Sequence, residues 1–419
     1  MAEEKPWGAA ERMRLEMKYE RFNLWLNFGT SIDKVKKMIR LGLFIVGLLA
    51  GGWAAAQPVV KVGAERFDLI LEQTRDKRVG LLVNQTSVVG YAHLVDLLIS
   101  MKVNIKKIYA PEHGFRGTAD AGEKISDGKD AKTGIPIVSL YGSNKKPTAA
   151  QLADVDVVIF DIQDVGTRFF TYISSLHYMM EACAENKKKL VVLDRPNPNG
   201  HYIDGPVLLP EHKSFVGMHP IPIVHGMTVG ELARMINGEG WLAGGKKCDL
   251  EVITVQFWKH DQPYPLIVRP SPNLPNDHAI ALYPTTCLFE GTALSVGRGT
   301  QNPFEMVGHP ALTQLAFQFT PISIEGMAKK PPFQDQICFG YDFRKEKPHT
   351  HIHLEWIIQA YRDFPEKEKF FTDYFTTLAG TPKLKEQIIQ GLTADEIRAS
   401  WKSELDAFKA KRSRYIIYN

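Results

Sequence analysis

Three stretches of the chain carry carboxylates in settings where they could do chemistry. Glu112, in YAPEHGFRG, is flanked by Pro111 and by His113-Gly114, a turn in which glycine lets backbone and ligand approach closely. Partial desolvation by Tyr109 and Phe115 would push its carboxyl toward the value a general acid needs; the plainer alternative is a carboxylate that only fixes the turn. Asp161 and Asp164, in FDIQDVGTRFFTY, form a second group with Arg168 and Tyr172 just beyond. Two aspartates three apart need a compensating cation in a dry crevice, and the spacing points to Arg168, although Asp164 could equally cap a helix. Glu290 in CLFEGTALSVGRG, with Arg298 eight residues later, is the third. Paired carboxyls suit glycosidic cleavage: about 5 Å apart for double displacement, about 6.5 to 9.5 Å for inversion, with a third route in which a substrate acetamido group attacks and an aspartate orients it.

Arg116, Arg168, Arg195 and Arg298 all fall in or beside these motifs, more cation than a neutral ligand requires. Arginine grips a carboxylate bidentately, so a sugar bearing an acid substituent fits, unless the arginines pair internally. His113, His225 and the run His349, His351, His353 raise the question of a metal, but the chain has no HExxH, and no metal is expected. A GxSxG elbow and a GxGxxG fingerprint are also missing, which argues against a serine hydrolase and a dinucleotide enzyme. No cofactor is expected.

The elements that would position these residues begin at Val79. Short Val/Ile-rich runs (VGLLV, NIKKIYA, IPIVSLYG, VDVVIFD, LVVLD) alternate with segments of helical spacing, including FTYISSLHYMMEACAENKKK. The pattern predicts an α/β, Rossmann-like, mostly parallel sheet with helices on both faces. Thr148 and the Thr228/Glu231 capping box open helices, and Gly238 and Gly240 close the second. In such sheets the ligand crevice lies outside the carboxyl ends of the strands. Those ends read Asn84-Gln85-Thr86-Ser87, Pro111-Glu112-His113-Gly114, Asp161 to Asp164, and Asp194-Arg195-Pro196-Asn197. Asn84, Gln85, His113, Arg116, Arg168, Tyr172, Arg195, Asn197, His225 and Arg298 are thus the substrate-binding candidates. After about Gly245 the chain becomes Pro- and loop-rich, then ends in amphipathic helices, HLEWIIQAYRDF and ADEIRASWKSELDAFKAKR. The expected division is residues 57–245 and a second α+β subdomain, 246–419, with a cleft between them.

Composition agrees with a folded protein: 419 residues, 44% hydrophobic and 23% charged. Lys36, Lys37 and Arg40, an apolar run from Leu41 to Gly52, and Ala54-Ala55-Ala56 read as a secretory signal peptide over 38–56, too short for a membrane span of about 20 residues. Residues 1–37 read as an upstream extension outside the fold. Removing the nine Lys/Arg and six Asp/Glu of residues 1–56 leaves 42 against 41, which excludes a basic field for nucleic acid. The expected location is periplasmic or secreted, with no anchor after cleavage. Cys183, Cys248, Cys287 and Cys338 are scattered, without the spacing of a disulfide framework or a zinc site.

Five motifs in order, GLLVNQTSV, APEHGFRG, FDIQDVGTRFFTYI, LDRPNPNG and EGTALSVGRGTQNPFEMVG, resemble the exo-β-N-acetylmuramidases of glycoside hydrolase family 171, formerly a domain family of unknown function (DUF1343). The resemblance covers residues 60–419. It implies a Rossmann-like part and a second subdomain forming a cleft, and release of N-acetylmuramic acid from the non-reducing ends of peptidoglycan fragments. The lactyl carboxylate of that sugar would be the anion for the arginines. It also implies Glu112 as the catalytic glutamate, with Asp164, Asp161 and Glu290 as candidates for its partner. A non-catalytic envelope protein binding muramyl sugars is the alternative.

Overall fold

The computed structural model describes residues 59–112, 114–116, 127–347 and 350–419; the expected extension and signal peptide lie outside them, and no helix of the described residues is long and apolar enough to cross a membrane. Along the chain run α1 (Phe67–Thr74), β1 (Val79–Val83), β2 (Val88–Val89), β3 (Ala92–His93), α2 (Leu94–Ser100), β4 (Ile105–Ala110), β5 (Gly128–Lys129), β6 (Pro136–Ser139), α3 (Ala149–Leu152), β7 (Val157–Asp161), α4 (Tyr172–Glu185), β8 (Lys189–Leu193), α5 (Val229–Gly238) and β9 (Asp249–Ile253). Seven of these strands form one sheet in the order β5-β6-β4-β1-β7-β8-β9, parallel throughout except where β5 meets β6. The α/β sheet read from the periodicity is therefore present, and it extends past residue 245: β9 pairs in parallel with β8 from Lys189/Asp249 to Leu193/Ile253.

Alternation along the buried strands sorts side chains between two cores. Val79, Leu81, Val83, Val157, Ile159, Val191 and Leu193 join Ile70 of α1 and Leu94, Val95 and Leu98 of α2 on one face. Leu82, Val158, Phe160, Leu190 and Val192 join α4 and α5 on the other, the period-two consequence of a sheet covered on both sides. The chain builds outward from β1 to β4 and β6, then returns to place β7 on the opposite side of β1, so the topological switch point falls between β1 and β7.

The expected caps form. The Thr148 and Thr228 hydroxyls each accept the N3 amide, and their own amides donate back to the Gln151 and Glu231 side-chain oxygens. Beyond the sheet lie α6 (Asp277–Thr286), a 3-10 turn Cys287–Gly291, β10 (Met306–His309), β11 (Phe317–Phe319), β12 (Cys338–Asp342), α7 (Leu354–Asp363), α8 (Lys367–Phe370), α9 (Asp373–Ala379), α10 (Lys383–Ile389) and α11 (Ala394–Arg412). The last three strands form a separate antiparallel sheet, β10-β12-β11. Ile397, Trp401, Leu405 and Phe408 give α11 one buried stripe. All four cysteines are buried free thiols.

The C-terminus closes back onto the sheet. The Tyr418 hydroxyl donates to Asp194 Oδ2 at 2.6 Å and accepts the Val255 amide at 3.0 Å. Glu231 Oε1 accepts the Ile417 amide at 2.7 Å and faces His260 Nε2 at 3.0 Å. Tyr418→Phe keeps the ring but strands a buried amide, an omission worth about 1–3 kcal/mol. Chemical denaturation should show a lower midpoint at unchanged slope; a midpoint equal to wild type would contradict this account of the C-terminal tie.

Candidate active site

At the switch point the ends of β1 and β7 are stitched together by short polar side chains. Asn84 Oδ1 accepts the Thr86 amide at 2.9 Å and the Thr86 hydroxyl at 2.5 Å, and Thr86 Oγ1 accepts the Gln163 amide at 2.9 Å. The Ser87 hydroxyl donates to the Asp161 carbonyl. These bonds explain why both strand ends are rich in Asn, Thr and Ser, residues that satisfy a turn's own backbone.

Asp161 and Arg195 belong to this scaffold. Arg195 Nε and Nη2 donate to the two Asp161 carboxylate oxygens at 2.6 and 2.9 Å, with both residues buried, a bidentate pair that satisfies both charges away from water. Asn197 is also structural: its amide donates to the Met227 carbonyl at 2.9 Å and its Oδ1 accepts the Asn199 amide at 2.8 Å. Gly166 is required beside it, with φ +78° and space such that an added Cβ would fall 2.2 Å from Asn197 Oδ1.

Asp164 is buried, 3% exposed. Its Oδ2 accepts the Gly166 amide at 2.6 Å, and Oδ1 is buried without a hydrogen-bond partner. Burial raises its carboxyl to about 7. His225 Nε2 lies 4.0 Å from Asp164 Oδ2. His225 Nδ1 accepts the Met227 amide at 3.2 Å, so a neutral ring carries its proton on Nε2. Burial holds that ring neutral by lowering it to about 3.

Arg168 does not compensate Asp164. Its guanidinium is fully buried and donates only to main-chain carbonyls: Nη1 to Pro206 and Ile221 at 2.8 and 2.7 Å, Nη2 to Leu378 and Ala379 at 3.0 and 2.7 Å. The last two are the final carbonyls of α9, the groups a helix leaves unpaired at its C-terminus. The four-residue spacing that pairs charges on a helix surface fails here because α4 begins only at Tyr172, and residues 164–168 form a turn. Burial lowers Arg168 to about 9, still cationic at neutral pH.

Glu112 and Glu290 are the two candidate carboxyls left partly exposed. Glu112 lies in the turn two residues past the end of β4, and the Tyr141 hydroxyl donates to its Oε1 at 3.1 Å. Tyr141 is pushed up to about 12 by burial and by the Glu112 charge. Tyr109, expected to shield Glu112, instead gives its hydroxyl to the Gln151 carbonyl inside the core. Tyr172 opens α4 beside the Asn84 amide, raised above its ordinary value by burial and by Glu112. Glu290 Oε1 accepts from Arg298 Nε at 2.8 Å, and the Arg298 guanidinium lies 5.1 Å above the Phe304 ring.

Tyr374 of α9 links the two carboxyls. Its phenol is raised by burial and by Cys287, Glu290 and Glu112, while the Arg298 cation pulls it down, so both glutamates and Arg298 lie within electrostatic reach of one hydroxyl. Neither Tyr141 nor Tyr374 was marked by the sequence. Tyr141 follows a strand as any loop tyrosine does, and Tyr374 lies 84 residues beyond Glu290 in a segment that reads as an ordinary amphipathic helix.

The remaining candidates lie apart. Arg116 forks onto Asp130 at 3.0 and 2.9 Å and touches Asp96 at 3.4 Å, and Gln85 donates to the Arg269 and Pro270 carbonyls. His113 lies outside the described residues, as does His349. His351, His353 and Glu355 bring possible ligand atoms within 4.8 Å of one another, but Arg398 donates to both Glu355 oxygens at 2.9 and 3.1 Å, which sets a positive charge where a metal would have to sit. At the ends of β1 and β7, a recess of about 480 Å³ is lined by residues that include Val62, Thr86, Val88, Gln163, Arg195 and Tyr264.

An α/β sheet with two partly exposed carboxyls, one braced by arginine, suits the class of glycoside hydrolases. Comparison with known proteins names the family. Residues 79–278 match the model of the exo-β-N-acetylmuramidase NamZ N-terminal part and residues 281–418 that of its C-terminal part. The chain is 38% identical to the peptidoglycan β-N-acetylmuramidase NamZ of Bacillus subtilis (strain 168), over 87% of this chain and 92% of that protein. Two crystal structures of DUF1343 family proteins from Bacteroides fragilis NCTC 9343 are similar in fold. One has TM-score 0.81 at 44% identity and the other 0.72 at 30%, each covering 86% of this chain and 99% of its own. The chain belongs to the NamZ exo-β-N-acetylmuramidase family of glycoside hydrolases.

The buried Asp164 carboxyl makes stability depend on pH. A carboxyl raised from its ordinary value near 4 to about 7 contributes stability that is complete below the ordinary value and is lost as pH rises through about 7. Between pH 6 and 8.5, wild type should therefore lose more thermal stability than Asp164→Asn, which has nothing to ionise there. Equal losses in the two proteins would show that Asp164 ionises without cost.

Proposed function

We propose that this protein is an exo-acting hydrolase that removes N-acetylmuramic acid from the non-reducing ends of peptidoglycan fragments, with Glu112 as general acid. The observation that carries the assignment is the placement of Glu112: just past the carboxyl end of an inner parallel strand, partly exposed, with the Tyr141 hydroxyl orienting one carboxylate oxygen. The protonated carboxyl gives its proton to the glycosidic oxygen as the bond from that oxygen to the anomeric carbon breaks, and the leaving sugar departs as an alcohol; water then supplies the hydroxyl that the anomeric carbon gains and the proton that restores the carboxyl. Glu290 is the second carboxyl of the reaction in this reading. Asp161 is occupied by Arg195, and Asp164 is turned into its own loop.

Arg298, alone among the four arginines of the motifs, stands with a partly exposed glutamate in this site, and it is the group proposed to meet the lactyl carboxylate. Cleavage of the segment 38–56 would deliver the enzyme outside the cytoplasmic membrane, where such fragments arise. Purified protein incubated with N-acetylmuramyl-β-1,4-N-acetylglucosamine should release the free sugars. Glu112→Gln should lower kcat by about 10²- to 10⁴-fold, the usual contribution of a positioned proton donor, while still binding the disaccharide. No release by folded wild-type protein, from this substrate or a chromogenic muramic acid glycoside, would contradict the reading and favour a binding role.

A further inference from the structure

We propose that Tyr374 is a substrate-contacting residue of this site, its ring forming a wall for the amino sugar and its hydroxyl donating a hydrogen bond to that sugar. Glu290 is followed by Gly291, and at that glycine the 3-10 turn meets the start of α9 so closely that an added Cβ would lie 2.3 Å from Phe375 Cα and 2.5 Å from its nitrogen. The Thr372 amide and hydroxyl both donate to the Gly291 carbonyl, at 2.9 and 3.0 Å. Residues 372 and 375 are thus fixed to the residue next to Glu290, and Tyr374 stands between them.

The other end of α9 is held by Arg168 through the Leu378 and Ala379 carbonyls. Gly380, at φ +74°, ends the helix where any Cβ would meet the guanidinium at 2.7 Å. A helix of only seven residues is therefore fixed at both ends to elements that carry the candidate chemistry. Its neighbours Phe375, Leu378 and Ala379 point into the core, whereas Tyr374 is 41% exposed. Its ring thus stays partly in solvent on a firmly held helix. A ring face beside carboxylates offers a sugar both apolar contact and a polar tip. The influence of Glu112, Glu290 and Arg298 on its phenol agrees with that position.

The inference rests on the proposed glycosidase reading, and one set of assays separates the two. Wild type, Tyr374→Phe and Tyr374→Ala are compared on N-acetylmuramyl-β-1,4-N-acetylglucosamine, with N-acetylmuramic acid binding followed by calorimetry. Loss of one hydrogen bond predicts a three- to ten-fold fall in kcat/KM for the Phe variant, approximately. Loss of the ring as well predicts a further fall for Ala, about ten-fold or more, with weaker N-acetylmuramic acid binding. Thermal midpoints should stay near wild type because the side chain is partly exposed. Wild-type turnover with both variants unchanged in kcat/KM and sugar binding would overturn the role of Tyr374 while leaving the glycosidase reading intact. Variants that lose activity only in proportion to a lowered thermal midpoint would also overturn it. An inactive wild type would instead overturn the reading on which the inference stands.

Discussion

The site depends on a buried cation that has no carboxylate partner among the described residues. Arg168 brings four main-chain carbonyls to one guanidinium, two from the loops that follow β8 and two from the end of α9. A desolvated guanidinium is costly unless its donors are satisfied, and a helix end is costly unless its carbonyls are. Each requirement meets the other. The consequence is positional: the turn after β7 and the helix that carries Tyr374 cannot move independently, although more than 200 residues separate them in the chain. Gly291 and Thr372 extend the same constraint to Glu290.

Around this frame the charges divide into two sets. Asp161 with Arg195, Arg116 with Asp130, and the Asp194 carboxylate with Tyr418, Thr228 and Gly230 are closed pairs or networks that hold strand ends, hairpin and C-terminus in register. Burial holds His225 neutral and raises the Asp164 carboxyl to about 7. Glu112 and Glu290 with Arg298 keep part of their surface, and Tyr141 and Tyr374 feel their charges. A sugar presents hydroxyls, an amide and C–H faces to a protein, and tyrosines with a few charges suit that mixture.

Much of this was legible in the sequence. Period-two and helical spacing located β1, β4, β6, β7, β8, α4 and α11, because those segments are buried on a regular schedule and the schedule is set by backbone geometry. Capping chemistry fixed the start of α5 for the same local reason. The rule that ligands gather at strand carboxyl ends led to Glu112. The arginines were harder. A motif that places Arg168 four residues from Asp164 looks like an ion pair, yet its partners are carbonyls contributed by residues 206, 221, 378 and 379, and main-chain acceptors leave no trace in side-chain identity. Tyr374 was illegible for a related reason: it reaches Glu290 through a glycine contact between distant segments, and β9 reads as part of a second subdomain until its pairing with β8 is seen.

The claim at the centre of this account is that the muramyl sugar lies between Glu112 and the wall formed by Glu290, Arg298 and Tyr374. A crystal structure of Glu112→Gln soaked with N-acetylmuramyl-β-1,4-N-acetylglucosamine tests it directly. The account predicts the glycosidic oxygen within hydrogen-bond distance of the residue 112 carboxamide, and the muramyl ring against Tyr374. A disaccharide seated instead in the recess lined by Val62, Val88 and Tyr264, with Glu112 and Glu290 untouched, would contradict it.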